Sequence, residues 1–347
     1  MAKIESLLSS YRASGLYTHV YVACGFLDAK ENLFEYSMGD SSQTVFDLAS
    51  ITKALVTTPL IISHCQDKRL NLRKSNSAET FGTEACRSLG LGPSALTVAD
   101  FLRHESGLPA WRNFYVHCDG RRQSLAEAVI RFKTQNQLFG QGRGAELYSD
   151  VGFMVLGALL VSAYGKPLSD IWLEYVRKIN FETEQEIGPA SAIKKDRSVP
   201  TAYCPVRQRQ LIGEVHDENA WAMGGFAGHA GLFGSGEGLT RFLRALWRHE
   251  DSRQVFSENF AEAASPGDSL LGWRKGVDES ARTFAEGRGC GHLGFTGTAF
   301  WVDPLTKSYA VVLTNRVISG RVSPAIKRFR AEVFAELWNE IRCHEKK

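Results

Sequence analysis

The sequence predicts an α/β protein: a mainly antiparallel sheet flanked by helices, its strands drawn from both ends of the chain, with a helical lobe inserted between them. Three observations carry this reading. Apolar runs of strand character occur near the N-terminus and again after residue 290, whereas the stretch between them reads as helices and loops. An amphipathic segment lies at each end, as expected of helices that cover such a sheet. Finally, no repeat and no low-complexity linker divides the 347 residues, so a single unit is expected. Its sheet lobe would comprise about residues 1–60 and 265–347, and its helical lobe about 61–264.

Each element has its own signal. The opening MAKIESLLSSYRASG spaces its apolar residues helically. His19–Leu27 and Leu33–Met38 read as strands, and the polar Asp28–Asn32 between them predicts a hairpin. Val45–Ser50 then leads into a helical run, Ile51–Cys65. In the middle, helices are expected at Thr97–Arg103, Ser124–Thr134, Asp150–Tyr164 and Gly238–Arg248. Strand signals return at His292–Phe295, Thr298–Val302 and Tyr309–Asn315. A helix closes the chain at Pro324–Arg342, apolar at Ile326, Phe329, Val333, Phe334 and Leu337.

Composition narrows the function classes. With 44% hydrophobic and 23% charged residues, the chain is neither disordered nor a disulfide mini-scaffold. Its 41 Lys+Arg against 38 Asp+Glu leave a net charge of +3, so no basic surface for nucleic acid is implied. Seven cysteines without a CxxC pair suggest thiols in a reducing compartment. The first residues lack the apolar core of a signal peptide, and no apolar run approaches the roughly 18 residues of a membrane span. A soluble cytoplasmic protein is the expectation, with a periplasmic one as the alternative.

Three short motifs can carry chemistry. Ser50-Ile-Thr-Lys53 places a lysine amine on the same helical face as a serine hydroxyl. A serine needs an adjacent base to become a nucleophile, and a partly desolvated lysine can serve. The motif is cheap, since Ser191-Ala-Ile-Lys194 also fits it. Tyr148-Ser149-Asp150 precedes an apolar helix. A phenol beside a lysine cation can work as a general base, although Tyr148 can equally pack on the core while Ser149 or Asp150 caps the helix. His292-Leu293-Gly294 opens the returning strands, where a sheet edge can offer a backbone N–H to a developing oxyanion. His229-Ala-Gly231 repeats that pattern, and a structural histidine is the simpler account of either. The glycine-rich 224–238 stretch lacks the Gly-Lys-Ser/Thr ending of a phosphate loop and follows no convincing strand. Neither metal-ligand spacing nor a cofactor motif is found, so no metal and no cofactor is expected. Trp111, Phe114, Tyr115 and Trp221 read as core, or as the lining of a substrate entrance.

The order of these motifs resembles the serine β-lactamase-related family, which includes class C β-lactamases, D-Ala-D-Ala peptidases and esterases; the nearest likeness is to penicillin-binding-protein-4B-like hydrolases. The resemblance rests on FDLASITKALVTTP (46–59), VADFLRHESGLPAW (98–111), LYSDVGFMVLGALL (147–160), AMGGFAGHAGLFGSGEGLTRFL (222–243) and GHLGFTGTAFWVDP with VVLTNRV (291–317). It implies Ser50 as acylated nucleophile, Lys53 as its partner and Tyr148 as general base. It implies substrate contact for Asp150, for His292 and Gly294 of the strand motif, and for Phe295, whose N–H would join that of Ser50 in an oxyanion hole. Two departures stand out. Leu293 takes the place of a threonine that helps hold a substrate carboxylate, and His292 takes the place of a lysine. The resemblance therefore implies a hydrolase of esters or amides rather than an efficient β-lactamase. A peptidase or amidase acting on muropeptides is the first alternative, and a catalytically silent penicillin-binding-like protein the second.

Overall fold

The computed structural model describes residues 2–28, 35–89, 91, 96–117, 144–183, 185–263, 267–275 and 279–345. The helix expected at 124–134 lies outside the described residues. The strands are β1 (Val20–Phe26), β2 (Glu35–Gly39), β3 (Val45–Asp47), β4 (Ile187–Pro189), β5 (Pro200–Cys204), β6 (Arg209–Ile212), β7 (Leu232–Ser235), β8 (Arg274–Lys275), β9 (Cys290–Leu293), β10 (Ala299–Val302) and β11 (Ser308–Thr314). Six of them form one sheet in the order β2-β1-β11-β10-β9-β8, and every neighbouring pair is antiparallel. The N-terminal hairpin thus meets the C-terminal meander through β1 and β11, with Val22 opposite Val312.

Both faces of this sheet are covered, so its central strands are apolar on both sides. On one face Val20, Val22, Cys24, Trp301 and Val312 pack against Ile4 and Leu8 of the first helix (Ala2–Ala13). The last helix (Ala325–Glu345) adds Ile326, Phe329, Val333, Phe334 and Leu337, the apolar stripe legible in the sequence. On the other face Tyr21, Ala23, Phe300, Val302 and Val311 join the core of the central region. The period of two along β1 assigns its side chains alternately to the two cores. Each large side chain buried there contributes on the order of 2 kcal/mol.

The middle of the chain is less purely helical than its sequence suggests. It contributes β4 and β7 to a second sheet, ordered β3-β7-β4, and β5 and β6 form a separate hairpin. These strands have only three to five residues, and Gly188, Pro189 and Gly234 interrupt them, too little for a period to emerge. The glycine-rich stretch accordingly contains a strand, β7, and then opens a helix, Gly236–Arg248, capped by Ser235 Oγ. Among the described residues no single helix is long and apolar enough to cross a membrane. The apolar Asp150–Tyr164 helix spends its hydrophobicity inside the protein, where nine of its residues are buried.

Candidate active site

The segment before Ser50 is bent and locked. Ala49 takes a left-handed conformation (φ 48°), which costs about 1 kcal/mol or more outside glycine. Asp47 holds it there, one carboxylate oxygen accepting the Ala49 N–H (2.8 Å) and the other the His216 N–H (2.7 Å). Burial pushes the Asp47 carboxyl up to about 6, even against these two N–H donors. Ser50 therefore ends a sharp turn immediately before the helical run.

That run is not a regular α-helix. Lys53–Thr57 form a π-turn that passes into the α-helix Thr58–Asp67. Carbonyls displaced by the wider turn find side-chain donors: Thr58 Oγ1 donates to Lys53 O (2.8 Å) and Trp273 Nε1 to Ala54 O (3.1 Å). Such turns recur at functional sites because they re-aim side chains.

Here the re-aimed side chain is Lys53. Fully buried, its Nζ donates to Ser50 Oγ (2.8 Å) and to His229 O (3.2 Å), and it pairs with Asp150 Oδ1 at 2.7 Å. Tyr148 is also within hydrogen-bonding reach, its ring centroid 5.0 Å from the ammonium. Burial opposes the charge, but the Asp150 carboxylate and the Tyr148 hydroxyl outweigh it and raise the lysine above its ordinary value. Ser50, Lys53, Tyr148 and Asp150 are thus brought together, whereas the competing Ser191 and Lys194 are exposed on the surface.

Ser149 is the cap of the Asp150–Tyr164 helix, its Oγ accepting from Gly152 N (2.9 Å) and donating to Pro109 O (2.7 Å). That leaves the Asp150 carboxylate for Lys53 rather than for capping. The Ser149 N–H donates to His104 Nδ1 (3.0 Å), which fixes the proton of a neutral His104 on Nε2. This imidazole lies against Tyr148, with centroids 4.6 Å apart, and Arg274 covers the same phenol ring at 5.1 Å. Burial, together with Lys53, His292 and Arg274, keeps His104 well below the ordinary histidine value.

The expected substrate strand differs in detail. His292 is only 1% exposed, turned inward beside Tyr148 (6.0 Å), with Nδ1 2.8 Å from Leu293 O. Burial, then the Lys53 ammonium, drives it well below the ordinary histidine value, so it is a neutral neighbour of the phenol. Gly294 is buried as well; a Cβ there would lie 2.0 Å from Thr298 Oγ1 and 2.6 Å from Leu48 O, so its role is close packing of two backbones. Leu293 packs against the terminal-helix core. Phe295, by contrast, is exposed. Two latches hold its turn against the nucleophile segment: Thr296 Oγ1 donates to Asp47 O (2.6 Å) and Thr298 Oγ1 to Leu48 O (3.1 Å). Among the described residues the N–H groups of Ser50 and Phe295 have no acceptor.

The glycine-rich segment forms another wall. Gly228 meets Gly157 of the Asp150–Tyr164 helix so closely that a Cβ on Gly228 would lie 2.1 Å from Phe153 O. This contact presents His229 O to Lys53 and Gly228 O to Thr57 Oγ1 (2.6 Å). The His229 ring pairs with a carboxylate, Nε2 lying 2.8 Å from Asp217 Oδ1. Against its burial, that imidazole holds the Asp217 carboxyl well below the usual carboxylate range. Among the four aromatics left open by the sequence, Phe114 is core and Trp111 is exposed.

His104, Arg274 and Asp217 had no role assigned from the sequence. Only His104 left a trace, as part of the 98–111 block, whereas Arg274 meets Tyr148 from far along the chain and Asp217 is paired with His229 by the loop between them. No group of three or more His, Cys, Asp or Glu suited to a metal occurs among the described residues.

A buried lysine bridging a serine, a tyrosine and a carboxylate beside an antiparallel sheet defines a class of acyl-transfer enzymes. The family model described as beta-lactamase matches residues 18–334, and the chain belongs to this family, as a serine hydrolase of the SxxK acyltransferase type. Over 313 residues it is 28% identical to an N-acetylmuramyl-L-alanine amidase of Bacillus subtilis, covering 82% of this chain and 70% of that one. It is 27% identical over 329 residues to a putative D-alanyl-D-alanine carboxypeptidase of Salmonella gallinarum (85% and 74% covered). Among solved structures, EstCE1, a hydrolase with promiscuous acyltransferase activity, shares the fold with a TM-score of 0.64 at 16% identity, covering 96% and 98% of the two chains.

Proposed function

We propose that the protein hydrolyses an ester or amide through an acyl-enzyme on Ser50. The observation that carries this is the Lys53 ammonium, fully buried yet held 2.8 Å from Ser50 Oγ and 2.7 Å from Asp150. In this step the Lys53 cation stabilises Tyr148 as its phenolate, which takes the Ser50 proton and becomes neutral as the serine oxygen attacks the carbonyl carbon. The carbonyl electrons move onto oxygen, where the Ser50 and Phe295 N–H groups receive them. Collapse of this intermediate expels the alcohol or amine, which takes the proton from Tyr148. Water then attacks the acyl ester along the reverse course, with Tyr148 again accepting and returning a proton.

The substrate class follows from the departures in the strand motif. Neutral, buried His292 and core-facing Leu293 supply neither a cation nor a hydroxyl for a substrate carboxylate. Ester-like substrates are therefore favoured over β-lactams. A second reading, cleavage of peptidoglycan-derived amide or D-Ala bonds, is supported by the names of the two curated relatives. A silent binding protein has less support, because Ser50, Lys53 and Tyr148 are all retained in contact.

Intact-mass measurement after incubation with a fluorophosphonate should show one adduct on Ser50 that is lost in Ser50→Ala. No adduct with any acylating probe would defeat the hydrolase reading. Rates on nitrophenyl esters, a chromogenic cephalosporin and D-Ala-D-Ala peptides then rank the substrate classes, with the esters expected first.

A further inference from the structure

Two buried arginines hold successive carbonyls on either side of the exposed Phe295 side chain. From the last helix, Arg330 Nη2 donates to Gly294 O (2.8 Å) and to Thr298 O (2.9 Å). From the segment after β11, Arg316 Nη2 donates to Phe295 O (2.5 Å) and Nη1 to Arg321 O (2.8 Å), while the guanidinium stacks 4.6 Å from the Phe295 ring. Each arginine is only 6% exposed. Arg316 has no carboxylate partner among the described residues, and burial lowers its affinity for the proton. Burying the Arg316 cation without a carboxylate is costly, and such arrangements persist where the charge serves the site.

The Gly294 carbonyl and the Phe295 N–H belong to one planar trans peptide, so they point in opposite directions. A cation fixed on the carbonyl oxygen therefore does two things to the N–H. It sets the direction in which that donor points, and it draws electron density toward the oxygen, leaving the hydrogen a stronger donor. Arg316 fixes the following carbonyl, which prevents the Phe295 backbone from rotating. Together with the Thr296 and Thr298 latches, the turn is held from both ends while its N–H remains without an acceptor.

We infer that Arg330 and Arg316 are positioning residues for the acyl-transfer step: they orient and polarise the Phe295 N–H that receives the oxyanion. This rests on the catalytic reading of Ser50. The charge that forms on the carbonyl oxygen when Ser50 attacks would be met by a donor already fixed in place, with no reorganisation during the step.

The test uses the intact chain and a matched pair of substrates, a nitrophenyl ester and its thionoester, whose sulfur is a poor hydrogen-bond acceptor. Arg330→Met should lower kcat on the ester about tenfold or more, with KM within about twofold, while the thionoester rate changes less than about threefold. Arg330→Lys should recover part of the ester rate. Equal losses on both substrates, or no loss in a variant that melts like the wild type, would overturn the inference. If Arg330→Met does not fold, the same ester-to-thionoester ratio is measured in Arg316→Gln, where a selective ester loss supports the inference and equal or absent losses overturn it. A wild type that forms no Ser50 adduct defeats the catalytic reading itself; an adduct-forming wild type with equal losses in the variants defeats only the positioning role.

Discussion

The Asp150 carboxylate lies 2.7 Å from the Lys53 ammonium, and this contact decides the charge of the site. Without it, burial of Lys53 would favour the neutral amine, because desolvation is the largest influence on that group and acts to lower its pKa. The two residues are nearly one hundred positions apart, and the fold joins them by setting the N-terminus of the Asp150–Tyr164 helix against the π-turn.

Replacing Asp150 with Asn keeps the shape and removes the charge. The Lys53 pKa should fall, so the alkaline limb of kcat/KM should move to lower pH. Stability should drop by about 3 kcal/mol, since a buried cation loses its partner. A lysine raised on folding contributes stability that is fully present below its unfolded value of about 10.4 and lost as pH rises through the folded value. The advantage of the wild type over Asp150→Asn should therefore be largest at low pH, begin to shrink as pH passes the lowered Lys53 value of the variant, and go on shrinking through the raised value of the wild type. An unmoved pH–rate profile would contradict the assignment.

Tyr148→Phe removes one oxygen and leaves the ring between His104 and Arg274. Turnover should fall at least about a hundredfold, the usual contribution of a general base. Thermal melting should stay within a few degrees of the wild type. A variant that retains its rate would exclude the phenol as proton acceptor.

Asp47 provides a second pH handle. Its carboxyl stands at about 6, above the ordinary value of 3.8. A carboxyl raised on folding contributes stability that is present below the unfolded value and lost as pH rises through the folded one. Denaturant unfolding of the wild type relative to Asp47→Asn should thus lose about 3 kcal/mol between roughly pH 4 and 6. A pH-independent difference would show that Asp47 does not titrate in that window.

Gly228→Ala places a methyl group 2.1 Å from Phe153 O, where neither partner is a side chain that can swing away. The loop must move, taking with it the His229 carbonyl that Lys53 contacts. Destabilisation of about 1–3 kcal/mol is expected, together with slower fluorophosphonate labelling of Ser50. Calorimetry and labelling kinetics report the two effects separately.

Much of the fold is legible where apolar runs are long. The first hairpin, the strands after residue 290 and the stripe from Ile326 to Leu337 all declare their period within one segment. The β3-β7-β4 sheet does not, because three- and four-residue strands broken by glycine and proline have no period to read. The SxxK and Tyr-Ser-Asp motifs name their residues, yet an equivalent serine and lysine at 191 and 194 end up exposed. His292 and Gly294 show the limit from the other side: the motif marks the strand, while the depth of each residue depends on what covers it.

The sequence by itself determined the class of fold, the order of its elements and the residue types available for acyl transfer, because these depend on local periodicity and short spacings. Only the tertiary structure decided which serine meets which lysine, that Lys53 carries its charge although fully buried, and that His292 sits neutral behind Tyr148. These outcomes depend on burial and on the distance between charges. Both are created when segments far apart in the chain, such as Asp47 with His216 and Gly294 with Arg330, are brought into contact.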